Sequence, residues 1–297
     1  MYNTTTGGSN VAIGYEALTA NTTGYNNAAF GRTALGSNTT GTYNTALGFS
    51  AGASVTTTGG HTAIGGLALT SATSGTNNTA IGFQASRYLT TGDNNTAIGY
   101  LTLGGTGVVT GDNNTAVGAS ALKANTTGSY NTASGSYSLY SNTTGSANIA
   151  SGYYSLHLNT TGGNNVATGY YALYANTTAS NNTAVGYTAL DANTTGASNN
   201  ALGAYALTAN TTGSKNVAIG ESALYTNTTA SQNNAVGIQA LQNNTTGANN
   251  NSMGYQAMMF NTTASNNTAI GDKALKYNTT GSGNVAVGRR ALDANTT

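Results

Sequence analysis

Two histidines, His61 and His157, are the only near-neutral proton carriers in this chain, and its 297 residues include no cysteine. No thiolate nucleophile or zinc knuckle can therefore be built. The two imidazoles stand more than five repeats apart and share no site within one chain. His61 opens the stretch HTAIG where sister stretches read NTAIG, so it reads as a substitute for an amide rather than as a base. The glycine-rich run GGTGVVTG (104–111) lacks the Lys-Ser/Thr ending of a phosphate loop and reads as a bulged turn. With no nucleophile–base pairing left, the expectation is a protein that is not an enzyme and carries no cofactor.

Three weaker features have the residue types for binding. Asp93 and Asp112 occupy equivalent GDNN turns. Stacked beside Asn oxygens, they have the ligands for Ca²⁺, although solvated turn aspartates need no ion and that reading is preferred. Tyrosines crowd the uncharged segment 124–190, and Tyr137, Tyr153, Tyr154, Tyr170 and Tyr171 form a candidate carbohydrate-binding patch. Finally, 14 Asn-Thr-Thr turns from Asn3 to Asn295 match the glycosylation sequon. Candidate acceptors are Asn21, Asn38, Asn125, Asn142, Asn159, Asn176, Asn193, Asn210, Asn227, Asn244, Asn261 and Asn278; the alternative is that Asn-Thr-Thr-Gly is simply a good turn.

The elements that position these groups repeat. Seventeen glycines from Gly14 to Gly288 recur every 17 residues, apart from one interval of 19 between Gly99 and Gly118. Counting from each anchor glycine as zero, Ala stands at −2 in 16 copies, Asn at −4 in 16, Ala at +3 in 14 and Leu at +4 in 14. Such a fixed period means one structural unit per repeat, stacked so that each buries what its neighbour exposes. Seventeen residues are too few for a helical-pair repeat. They suit a short strand (T-A-I-G-Y), a second short segment (A-L-x) and two polar turns. The expected fold is all-β: a parallel β-solenoid, or β-roll, of 17 coils with a two-residue insertion near 100–117, forming one repeat domain over 1–297. Coils about 4.8 Å apart would make a rod on the order of 80 Å long. The Asn column would stack into a ladder. Because the chain begins and ends within a repeat, both ends are expected to be uncapped and to offer strand edges to another chain.

Composition excludes several classes of function. Fifteen charged residues (8 basic, 7 acidic) and a net charge of +1 give no footprint for nucleic acid or for an anionic membrane. No apolar run approaches the roughly 20 residues that would span a bilayer, so no membrane insertion is expected. The 38% of hydrophobic residues are placed too regularly for a disordered chain.

The stretches NVAIGESAL (216–224), NTAIGYLTL (95–103) and NVAVGRRAL (284–292) resemble the head repeats of trimeric autotransporter adhesins, with related repeats in phage tail fibres and bacterial surface proteins. The resemblance implies a left-handed parallel β-roll in a three-chain bundle. Strand alternation bears on the same question, since Ala −2 and Gly 0 share one face while −3, −1 and +1 share the other. The −1 column is apolar in 14 of 17 copies. If the Ala face turns inward, that column becomes an exposed stripe that calls for a partner; if reversed, it becomes the core of a monomer. The function expected is a structural, adhesive fibre, extracellular or at the cell surface, whose partners are copies of itself in a filament or trimer, with glycan as a further ligand. The alternatives are an ice-binding solenoid using stacked Thr at +8 and +9, and the shaft of a viral receptor-binding fibre.

Overall fold

A computed structural model describes residues 5–296. It divides into two compact units, Met1–Asn148 and Ile149–Thr297, each a parallel β-solenoid. The first contains eight three-residue strands, from Val11–Ile13 to Thr132–Ser134, and the second nine, from Ile149–Ser151 to Val285–Val287. Within each unit successive strands pair in parallel, alanine opposite alanine, as in Ala12 with Ala29 and Ala167 with Ala184, except where Ser252 replaces the alanine. One repeat is therefore one lap of coil, the architecture the period predicts. No helix occurs among the described residues, so none is long and apolar enough to cross a membrane.

The anchor glycine ends each strand. At Gly203 φ is +136°, and a Cβ there would lie 2.7 Å from the carbonyl carbon and oxygen of Gly220 in the next lap. A side chain is thus excluded by conformation and by space together.

The Ala-Leu stretch is where the structure adds to the sequence. Its spacing marks only a second short segment, and the structure shows that segment to be a tight turn with leucine in the left-handed region, as at Leu173 (φ 52°). Residues at +2 and −5 are also left-handed, for example Tyr171 and Asn164, both at φ 57°. A non-glycine residue there costs about 1–2 kcal/mol. Two gains offset this. Leu173 is fully buried, which stabilises by roughly 1.5–3 kcal/mol, and its amide donates to Ala189 O in the next lap at 3.0 Å.

Inside each unit run the Ala −2, Ala +3 and Leu +4 columns, flanked by two asparagine ladders. In the expected one at −4, Asn199 N–H donates to Asn182 Oδ1 (2.9 Å), and its Nδ2 donates to Gly213 O (2.8 Å). Asn199 Oδ1 in turn accepts from Asn216 N–H (3.0 Å) and Asn216 Nδ2 (3.2 Å). The second ladder, at +7, is made of the sequon asparagines. Asn210 Nδ2 donates to Asn193 Oδ1 and to Gly213 O, both at 2.9 Å. Where both ladders run, one carbonyl per lap, of Gly213 here and of an alanine such as Ala230 elsewhere, accepts from both and fixes the last turn against the first.

The +7 ladder lapses in the first unit, where Val55, Ala72 and Leu89 are buried instead. In two of these laps the larger apolar residue comes with a smaller one at +4, Val55 with Gly52 and Leu89 with Ser86, while Ala72 keeps Leu69. Counting alone assigns the next lapse to Thr106. The extra residues loop out so that Thr106 is exposed, and Val109, fully buried, bridges Leu89 in parallel.

Candidate functional site

The alanine face turns inward, so the −1 column faces out. Strand burial alternates accordingly, with the central residue buried between more exposed neighbours. Ile13 is 59% exposed, Leu202 49% and Met253 50%. In the first unit the stripe runs from Ile13 through Phe30, Leu47, Ile64, Ile81 and Ile98 to Val117, in register lap by lap. In the second it runs from Val185 to Val287, where Val185, Leu202, Val217 and Ile219 line a shallow apolar hollow. The +1 column flanks it with Tyr15, Phe49, Phe83, Tyr100, Tyr187 and Tyr255, all exposed. Arg32 interrupts that column without breaking it, its guanidinium lying 5.8 Å from the Tyr15 ring centre and 5.9 Å from that of Phe49.

The candidate carbohydrate residues fall in both units. Tyr137 belongs to the first, 5.7 Å from Tyr140. Tyr153, Tyr154, Tyr170 and Tyr171 come together in the second, joined by Tyr174, Tyr187 and His157, which sequence reasoning left out of the patch. Tyr170 stacks on Tyr187 (5.4 Å, 5°) and on Tyr153 (5.7 Å, 18°), while His157 stacks on Tyr174 (5.4 Å, 1°). The +1 and +5 columns held the signal, since like rings one period apart must stack. Stacking turns the ring faces toward one another and leaves edges and hydroxyls outermost, whereas a sugar needs an open face. Desolvation first, and then neighbouring tyrosine hydroxyls, push the Tyr153 and Tyr171 phenols above their ordinary pKa.

Asp93 and Asp112 act as hydrogen-bond acceptors between laps. Asp93 Oδ1 accepts from Thr76 N–H (2.6 Å) and Thr76 Oγ1 (2.9 Å), and Asp112 Oδ1 accepts from Asp93 N–H (2.8 Å). Serine hydroxyls do the same at this column elsewhere, as Ser231 Oγ does for Ser214 N–H. No group of three metal-ligating His, Cys, Asp or Glu side chains occurs among the described residues.

The twelve candidate glycosylation asparagines, Asn21, Asn38, Asn125, Asn142, Asn159, Asn176, Asn193, Asn210, Asn227, Asn244, Asn261 and Asn278, are fully buried. The Nδ2 a glycan would need points inward and donates to a carbonyl of the same lap, as at Asn125, Asn159 and Asn278. The folded solenoid has no room for sugar there; Asn3 lies outside the described residues.

His61 takes the place of an amide in the −4 ladder. Its N–H donates to Asn44 Oδ1 (3.1 Å), Nδ1 accepts from Asn78 N–H (3.3 Å), and Nε2 bonds Thr58 Oγ1 (3.2 Å). The ring must be neutral to accept at Nδ1. Burial is the main cause holding its pKa below 6.5, against smaller upward pulls from backbone bonds and Asp93. The unfolded chain therefore binds the proton more readily. Stability contributed by the neutral ring is complete above the unfolded value and is lost as pH falls through and below it. Urea melts should show this as a slope of up to about 1.4 kcal/mol per pH unit, and His61→Asn should flatten it; a slope unchanged in the variant would refute the assignment.

Near the carboxyl-terminal end Asp272 pairs with Arg289 at 3.3 Å, exposed enough to stabilise by no more than about 1 kcal/mol. Lys276, placed by sequence beneath Asp293, lies instead over the rings of Phe260 (5.9 Å) and Tyr277 (5.2 Å).

Together the fold and its ladders define a tandem-repeat parallel β-solenoid with an outward, mostly apolar −1 column. Comparison with known families and with curated proteins finds no match to this chain.

Proposed function

We propose that this is a non-enzymatic structural protein whose solenoids bundle side by side into an extracellular or cell-surface fibre, with adhesion as an accessory role. The observation that carries this reading is the outward −1 column, within each unit a lap-by-lap row drawn from Ile, Leu, Val, Met and Phe on parallel strands. Apolar stripes of this kind mark interaction surfaces. A second copy is the occupant the pattern favours. It alone repeats the same side chains at the same lap spacing, so every lap meets a matching lap, while an unrelated partner would match once. Lateral bundling of this type also agrees with the likeness to adhesin head repeats.

The ice-binding alternative has less to support it. The +8 hydroxyls are already used, as in Thr211 Oγ1 donating to Thr228 O (3.1 Å) and Thr177 Oγ1 to Thr194 O (3.2 Å), which leaves one outward Thr column at +9. A viral fibre shaft would share the architecture, and no observation favours it.

Light scattering and electron microscopy of the purified chain test the proposal. The expected mass is a small multiple of 29.5 kDa, falling to that of a single chain when Leu202→Asp and Ile219→Asp are combined. Because both side chains point outward, the circular dichroism spectrum should not change. A wild-type chain that stays monomeric at micromolar concentration would overturn the reading.

A further inference from the structure

The tyrosine ladder of the second unit brings several phenol rings into contact. Tyr153 and Tyr154 have ring centres 4.4 Å apart, Tyr170 and Tyr171 4.5 Å, and the two pairs stack lap on lap at 5.7 and 5.3 Å. Tyr187 continues the stack at 5.4 Å from Tyr170. Tyr153, Tyr170 and Tyr187 are exposed, and in a tyrosyl radical the carbons ortho to the hydroxyl carry much of the unpaired electron. No charged side chain lies between residues 124 and 190, and with no cysteine and only four lysines, tyrosine is the one abundant side chain able to form a cross-link.

We infer that Tyr153, Tyr154, Tyr170, Tyr171 and Tyr187 form a site of oxidative dityrosine cross-linking that joins successive laps of one chain. The oxidant required is a peroxidase-class enzyme using hydrogen peroxide. Each of two phenols gives up one electron and one proton, and the two radicals form a carbon–carbon bond between ortho positions. The ortho hydrogens then move as protons to the phenoxyl oxygens and restore two phenols. Overall, two tyrosines and one peroxide give one dityrosine and two waters. Holding the rings in contact makes the coupling unimolecular, the arrangement that gives intramolecular reactions their large effective concentrations. Lap-to-lap bonds of this kind would staple the coil where the −1 column turns polar, at Ser151 and Thr168. The inference concerns links within one chain and stands independently of bundling.

The test is to oxidise dilute full-length protein with a haem peroxidase and hydrogen peroxide. Dityrosine fluorescence is then read on the band that runs as a single chain in a denaturing gel, together with its intact mass. The expected product has lost two hydrogens per link. Tyr170→Phe with Tyr171→Phe, which keeps the stacked rings, should lower the single-chain fluorescence to what contacts such as Tyr153–Tyr154 and Tyr25–Tyr43 supply, with the cross-linked peptide that joins the two laps missing from a digest. Tyr100→Phe with Tyr277→Phe should keep it, because those rings stack on Phe83 (6.1 Å) and Phe260 (5.3 Å) and have no phenol partner there. Urea added before oxidation should suppress the signal. Equal loss in both double variants, no loss in the first, or dityrosine confined to covalent multimers would overturn the inference.

Discussion

Gly65→Ala is expected to unfold the laps around it, while Gly66→Ala, one residue further on, leaves the protein nearly as stable as before. Gly65 is an anchor glycine with φ +130°, where a Cβ would meet the carbonyl of Gly82, 2.6 Å from its carbon. The left-handed conformation alone costs on the order of 1–3 kcal/mol for a residue with a side chain. The clash cannot be relieved by rotating a side chain, because both obstructing atoms are backbone. Laps would have to part, losing the bond from Gly82 N–H to Ile64 O (2.7 Å). We expect a loss of about 4 kcal/mol or more, the range reached only by named structural faults. At Gly66 φ is ordinary and a Cβ would make van der Waals contact with the Phe83 ring at 3.4 Å. The change there should stay within about 0.5 kcal/mol. Urea melts of the two variants side by side decide the matter, and similar midpoints would mean that the anchor glycine is not what holds the laps at this distance.

The second large effect is expected at Asn199. Replacing it by alanine removes one acceptor and one donor, yet several groups lose partners: Asn216 N–H, one Asn216 Nδ2 hydrogen, and one of the two bonds to Gly213 O. All lie in the interior, and each buried polar group left unpaired costs about 1–3 kcal/mol. A total near 3–5 kcal/mol is expected, more than truncating an apolar side chain of that size would give. Asn199→Asp tests the mechanism. It keeps the shape and the acceptor but deletes the Nδ2 donor and buries a carboxylate, so it should destabilise more at neutral pH than in acid. Hydrogen exchange of the neighbouring laps, read with urea melts, would show whether the damage stays within one or two laps, as nearest-neighbour coupling requires. A near-neutral Asn199→Ala would mean that water replaces the amide.

Sequence carried the period and the strand because each is a column property, visible as soon as the glycines are aligned; which face of the strand turns inward stayed open, since alternation alone is symmetric between the alanine and the −1 columns. It also placed His61 in the ladder, since the substitute kept the column. It left the conformation at Leu +4 open, because leucine has no preference for positive φ; only lap-to-lap bonding and burial force it there. The second ladder was hidden for that reason, since it is the sharp turn at Leu173 that swings Asn176 inward. The sequon pattern is local and could not register the difference. Thr106 was chosen over Val109 for a similar reason, since counting fixes a position only until residues loop out. The tyrosine patch was half legible: the crowding was plain, but face-to-face stacking, which disfavours sugar, follows from the lap spacing.

The bonds between ladder amides all run one way. Within each unit, where one ladder side chain bonds the next, its Nδ2 gives a hydrogen toward the lower-numbered lap, as from Asn210 to Asn193 and from Asn244 to Asn227. The solenoid thus has a grain, with bond dipoles adding along it instead of cancelling. A lap inserted in the same sense meets donor with acceptor on both sides, so duplicating or deleting a repeat preserves the wiring. A lap inserted backwards would set donor against donor at one junction and acceptor against acceptor at the other. Apolar packing of Ala and Leu would tolerate either sense. Polarity is therefore written in the asparagines, and repeat number is free to vary as a measure of length.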